Sequence, residues 1–203
     1  MITIIRNAAP AAILFLAACS SGPAEPPALT GDAWTVDDTA SKLSYVSIKQ
    51  DQFAETNSFE RVSGTLSADG AANIAIDLAS VSTGVDIRNE RMRDVFFVVA
   101  DNPTANITAQ IDPSLFAKLG VGESASTVLD GTLSLNGIGA PFQANVTVTR
   151  AGPDRVLAVS DKPVIVEASQ FELAERLTQL QELAGLSSIT PTVPVTFSLV
   201  FKR

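Results

Sequence analysis

Polar and apolar residues alternate with a period of two along most of this chain, and that pattern restricts its fold more than any other feature. Successive strand side chains point to opposite faces, so the alternation marks strands with one wet and one dry side. Asn73-Ile74-Ala75-Ile76-Asp77-Leu78 shows it, and Thr104 to Ile111 repeats it. In Val128 to Asn136, Leu129, Gly131, Leu133 and Leu135 share one face, with Asp130, Thr132, Ser134 and Asn136 on the other. Phe142, Ala144, Val146 and Val148 form a further apolar face, and Val193, Val195, Phe197, Leu199 and Phe201 close the chain with another. Gly137 to Pro141 reads as the loop joining two of these strands. Trp34 to Lys49 holds one or two strand pieces around a turn at Asp37-Asp38-Thr39. Phe53 to Ala68 is a second strand region, closed by the hairpin signal Asp69-Gly70. Arg155 to Val166 is strand-like, with a break expected at Pro163. Seven or eight such strands indicate an all-β antiparallel barrel or sandwich.

Two helical segments interrupt the strands. Asp112-Pro113 supplies a cap and a first-turn proline, and Gly120 ends the segment after two expected turns. Ser169 and Glu172 have capping-box spacing ahead of Leu173, Leu177, Leu180 and Ala184 on one face, with Gly185 as C-cap. That amphipathic helix either lids one end of the sheet or covers its side. Between Val81 and Phe97 a dense charged cluster (Arg88, Glu90, Arg91, Arg93, Asp94) runs into an apolar tip. It reads as a loop or short helix lying across one end.

Residues 1–18 read as a leader. Arg6 precedes an apolar run too short to span a bilayer, ending in Leu16-Ala17-Ala18-Cys19. Leu-Ala-Ala-Cys looks like a bacterial lipobox, and the resemblance implies that Cys19 becomes the lipidated first residue of the mature protein, carrying several acyl chains (palmitate-type) that attach it to the membrane. With Ser20 next, the expected location is the periplasmic face of the outer membrane. Residues 19–32 are proline-rich and poor in apolar bulk, hence a flexible tether. The folded domain is expected over 33–203.

Composition narrows the function. The net charge is −8, and removing the leader takes away only the single cation Arg6. An acidic body disfavours nucleic acid, and attachment to anionic lipid must come from acyl chains. The chain has no histidine, and Cys19 is its one cysteine, so no metal site, no cofactor and no Ser-His-Asp or Cys-His catalysis is expected. Nothing among 22 acidic residues singles out a hydrolase pair, so the chain reads as a non-enzyme.

The order of several short motifs resembles the YceI family. Ser80-Val81-Ser82-Thr83-Gly84, Arg88-Asn89, Phe96-Phe97 and Pro103-Thr104 fall as in that family's central stretch. Trp34-Thr35-Val36-Asp37, Ser41, Leu43 and Tyr45 match its opening strand; Phe59 and Val62-Ser63-Gly64-Thr65-Leu66 match the second. Gly131 to Gly137 looks like its hairpin strand. Where the family often carries histidines this chain has Ala40 and Glu90, and Asn89 stands for the usual aspartate. The resemblance implies an eight-stranded lipocalin-like barrel that binds an isoprenoid-like or other long-chain lipid. Candidate ligand-binding residues are Trp34, Tyr45, Phe96, Phe97, Phe142 and Phe197 for the apolar tail, with Arg88 and Arg91 as a polar collar. The other reading is an envelope lipoprotein with a packed, ligand-free barrel that binds a protein partner.

Overall fold

The computed structural model describes residues 28–29 and 31–203; the leader, Cys19 and most of the tether lie outside the described residues. Twelve strands form one antiparallel sheet: β1 (Trp34–Val36), β2 (Lys42–Lys49), β3 (Phe53–Phe59), β4 (Val62–Leu66), β5 (Ala71–Asp77), β6 (Val81–Ser82), β7 (Thr104–Gln110), β8 (Ser124–Leu135), β9 (Ile138–Gly152), β10 (Arg155–Ser160), β11 (Val164–Glu167) and β12 (Thr192–Lys202). The sheet closes on itself. The end of β12 pairs with β1 (Val36↔Phe201), its earlier part with β2 (Val195↔Tyr45), and β1 pairs in turn with β4 (Trp34↔Leu66). β1 with β2, β3 with β4, β5 with β6, and β10 with β11 each make one broken stave, so the closed barrel has eight positions. Closure removes the exposed sheet edges that an open sheet must protect.

Two of the breaks have a local cause. At β1–β2, Asp37 is buried and its carboxylate accepts from Thr39 Oγ1 (2.8 Å) and pairs with Arg155 (2.8 Å) and Lys202 (3.6 Å). The Thr39 hydroxyl first, then the Lys202 and Arg155 charges, hold that carboxyl below its ordinary value. Pro163 interrupts β10–β11 as the sequence predicts.

Three local expectations are corrected. The β8–β9 connection is Asn136-Gly137 alone, both with positive φ (54° and 76°), and Ile138 to Pro141 belong to the strand. This is the two-residue Asn-Gly turn whose twist suits a hairpin. Asp112 does accept from Ser114 N (2.9 Å), but it caps one 3-10 turn (Pro113–Leu115), not two helical turns. The capping box is formed by Glu167 and Gln170 on a 3-10 turn at Ala168–Phe171; Glu172 takes a left-handed φ of 56° and ends it. The helix α2 then runs Ala174–Ala184, closed by Gly185 (φ 64°).

The barrel's two ends differ. At the base, Trp34 is 3% exposed and donates from Nε1 to the Leu29 carbonyl (3.2 Å). Arg203 lies over the Trp34 ring and binds the Ala28 carbonyl and the carboxylates of Asp32 and Asp154. Packing therefore begins ahead of residue 33, because Leu29 is itself buried. Arg150, also buried, donates to the carbonyls of Leu119, Gly152 and Pro153. The other end carries the β2–β3 and β8–β9 hairpins, the 83–103 segment and α2.

Candidate functional site

Inward-facing residues do not fill the barrel. They surround a cavity of about 250 Å³ whose wall is apolar throughout. Aliphatic side chains from every part of the ring line it, among them Ile74, Ile76, Ile107, Leu129, Leu133, Val146 and Leu199. An engineered apolar cavity of about 150 Å³ in another protein stays dry and takes up benzene, so this space is of ligand-binding size.

A two-part lid closes the end opposite Trp34. The first part follows β6. Asn89 Oδ1 accepts from Thr83 N (2.8 Å) and Thr83 Oγ1 (2.7 Å), folding the chain into α1 (Asp86–Arg91). A π-helical turn, Met92–Phe97, follows and ends at Val98 in a left-handed conformation (φ 50°). That conformation is strained for a β-branched residue and costs on the order of 1–3 kcal/mol. The turn sets Met92, Phe96 and Phe97 on the cavity. Phe97 reaches Phe59 (ring centroids 5.8 Å apart), and Phe59 reaches Tyr45 (5.6 Å). The second part precedes and includes α2: Phe171 and Leu173, each 1% exposed, pack with Ala140 and Ala168 and also line the cavity. The amphipathic helix thus belongs to the lid and does not cover the outer wall.

Most of the residues singled out from the sequence converge here. Tyr45, Phe96, Phe97, Phe142 and Phe197 all line the cavity. Trp34 does not. It sits at the base against a separate pocket of about 90 Å³, shared with Leu29 and Phe116. Its phase along β1 is inward, but β1 lies at the end that Leu29 seals. Arg88 and Arg91 are absent from the cavity wall. Arg88 instead pairs with Glu55 at the β2–β3 hairpin, which also binds Lys49, and Arg91 makes no ion pair among the described residues. The Lys49 hydrogen bond first, then the Arg88 hydrogen bond and charge, hold the Glu55 carboxyl below its ordinary value. Burial pushes the Tyr45 phenol well above its usual range, so it stays protonated.

The sequence reading missed a polar tier. Lys49, Glu55, Ser47 and Asn57 continue the face of the β2–β3 hairpin that carries Leu43, Tyr45 and Phe59. The signal was present: the inward phase of both strands turns polar toward the hairpin tip. Among the described residues, no group of three or more His, Cys, Asp or Glu side chains is placed to hold a metal ion.

The family model for the YceI-like domain matches residues 34–201. The chain belongs to the YceI-like family. Among solved YceI-like and related structures, a polyisoprenoid binding domain from Saccharophagus degradans, implicated in plant cell wall breakdown, is 36% identical with a TM-score of 0.82. The match covers 85% of this chain and 99% of that one. BcnA from Burkholderia cenocepacia is 23% identical (TM-score 0.61; 81% of this chain, 98% of that one), and the YceI protein of Campylobacter jejuni is 16% identical (TM-score 0.54; 77% and 90%). These two share the fold. No curated protein sequence matches the chain.

Proposed function

We propose that this YceI-like protein carries an isoprenoid-like or other long-chain amphiphilic lipid inside its barrel, at the bacterial envelope, held to the membrane by acylated Cys19. The observation that carries the reading is the cavity of about 250 Å³ with a wholly apolar wall beneath the aromatic lid. Such a wall offers a ligand no charge and no directed polar contact. It recognises an apolar chain, which gains about 25 cal/mol for each Å² removed from water. The 36% identical domain described as polyisoprenoid binding points to the same class of cargo. Binding and release are all that this role asks of the protein, and no chemical step is assigned to it. The leader and the Leu-Ala-Ala-Cys sequence support delivery to the envelope, with the periplasmic face of the outer membrane as the proposed location.

A packed, ligand-free barrel serving only as a partner-binding surface is disfavoured by the same cavity. The test is solvent extraction of the purified protein, with the extract analysed by mass spectrometry. Recovery of a prenyl or other long-chain lipid near one per chain is expected. A clean extract, with no uptake from added polyprenyl lipid, overturns the reading.

A further inference from the structure

The main cavity of about 250 Å³ and the base pocket of about 90 Å³ meet at one level of the barrel. Five side chains line both spaces: Ile111, Phe116, Val148, Ala158 and Phe201. They do not come from one side. Val148 and Ala158 are cross-strand partners on β9 and β10, and Phe201 stands on β12, the next strand round. Ile111 directly follows β7, four strands from β12 in a ring of eight positions, and so belongs to the far wall. Residues of opposite walls that touch both spaces form a neck between them, and that neck is the floor of the main cavity.

Phe116 is the largest of the five that lies on no strand. The turn Pro113–Leu115 carries it inward: its N–H closes that turn on the Pro113 carbonyl (3.1 Å), and it is 9% exposed where Leu115 beside it is 55% exposed. Three residues on, the Leu119 carbonyl is held by Arg150 (3.1 Å), which fixes the loop against the barrel. Below the ring, the base pocket is lined by Trp34 and Leu29. An apolar wall rewards every buried methylene alike, so only the depth of the space tells a long tail from a short one. Resting on the lipid-carriage reading, we propose that the neck measures the tail: Phe116 stops the far end of a lipid that enters by the lid, sets the tail length the cavity selects, and keeps the tail out of the base pocket. Isoprene units beyond that length remain at the lid, where burial adds nothing.

The test titrates the full-length chain, purified in a mild detergent, with geraniol, farnesol, geranylgeraniol, geranylfarnesol and solanesol. Native mass spectrometry reads affinity, and Trp34 emission reads depth. Trp34 is the one tryptophan and lines the base pocket but not the main cavity, so its emission reports a tail that has passed the neck. In the unmodified chain, affinity is expected to rise about tenfold or more per isoprene unit and then to stop within the series, with Trp34 emission unchanged. In Phe116→Ala the stop is expected to move at least one member further, and the members that gain affinity shift the Trp34 emission. Phe116→Leu, a milder cut, moves the stop in the same direction. Affinity that climbs through the whole series, or a Trp34 shift in the unmodified chain, overturns the proposal and leaves lipid carriage standing. A stop that stays in place in Phe116→Ala, with the shorter alcohols still bound, also overturns it. Binding of none of the alcohols removes the carriage reading itself, and this proposal with it. The titration of the unmodified chain does not depend on a variant's folding.

Discussion

Arg176 on α2 donates from Nη1 to Oδ1 of Asn136, the residue that turns the β8–β9 hairpin, at 3.0 Å. Asn136 in turn donates from Nδ2 to the Phe171 carbonyl (3.0 Å), and Arg176 also reaches the Phe96 carbonyl (3.4 Å). One guanidinium so ties both parts of the lid to a fixed corner of the barrel. Hydrogen bonds from a charged donor contribute roughly 1.5–3 kcal/mol. Arg176→Ala is therefore expected to speed hydrogen exchange in α2 by about tenfold or more, with little change in the strands. Exchange in α2 that stays at the wild-type rate would show that the latch is not what holds the lid.

Gly131 lies directly under the Phe142 ring. An added Cβ would stand 2.7 Å from two ring carbons and 3.2 Å from the Thr108 carbonyl oxygen. Gly131→Ala must push the ring toward the cavity that Phe142 lines. The expected cost is about 1–3 kcal/mol of stability from overpacking, read by chemical denaturation, together with weaker lipid uptake. A variant as stable as the parent would mean that the ring has room to move elsewhere.

Leu29 and Trp34 make the base a test of where the domain begins. Trp34 is the chain's one tryptophan and is buried, so its emission is expected at short wavelength. A chain begun at Gly31 lacks Leu29 and the Ala28 carbonyl held by Arg203. Relative to one begun at Ala24, it is expected to emit at longer wavelength and to lose about 1.5–3 kcal/mol of stability, the worth of one buried leucine. Identical spectra and stability would place Leu29 outside the functional core.

Asp37 sets an acid limb on stability. Its carboxyl is lowered from an ordinary value of 3.8 by Thr39, Lys202 and Arg155. A group with a depressed folded value stabilises the protein fully above the unfolded value, and that stability is lost as pH falls through the folded one. Melting temperature is thus expected to fall as pH drops below about 4, and less steeply in Asp37→Asn. Parallel curves for the two proteins would contradict the assignment.

Much of this architecture was legible because alternation is a direct record of a closed, one-sided sheet. Leu129, Leu133 and Leu135, and Val193, Val195, Phe197, Leu199 and Phe201, face the cavity as their phase demands. Pro141 falls inside β9 although Gly137 to Pro141 reads as a loop. It is tolerated because β9 pairs with β10 only from Val146 onward, leaving an edge at Pro141 where no N–H is needed. The Ser169–Glu172 spacing misled because Phe171 and Leu173 must both be buried, and the left-handed Glu172 between them allows it. Trp34 and Phe142 both read as inward, and phase alone does not say at which height a residue meets the interior. Nor does it show whether opposite walls touch. The same aromatics and aliphatics make a solid core or a lined cavity, and how the side chains of opposite walls meet decides between them.

The most direct test of the account is the native mass of the protein as purified, with Leu29 kept and Cys19 removed to avoid acyl heterogeneity. A discrete added mass that matches a long-chain lipid and is lost on solvent extraction is expected, one per chain. A bare mass that persists after incubation with polyprenyl lipids would contradict lipid carriage and leave the cavity without a cargo.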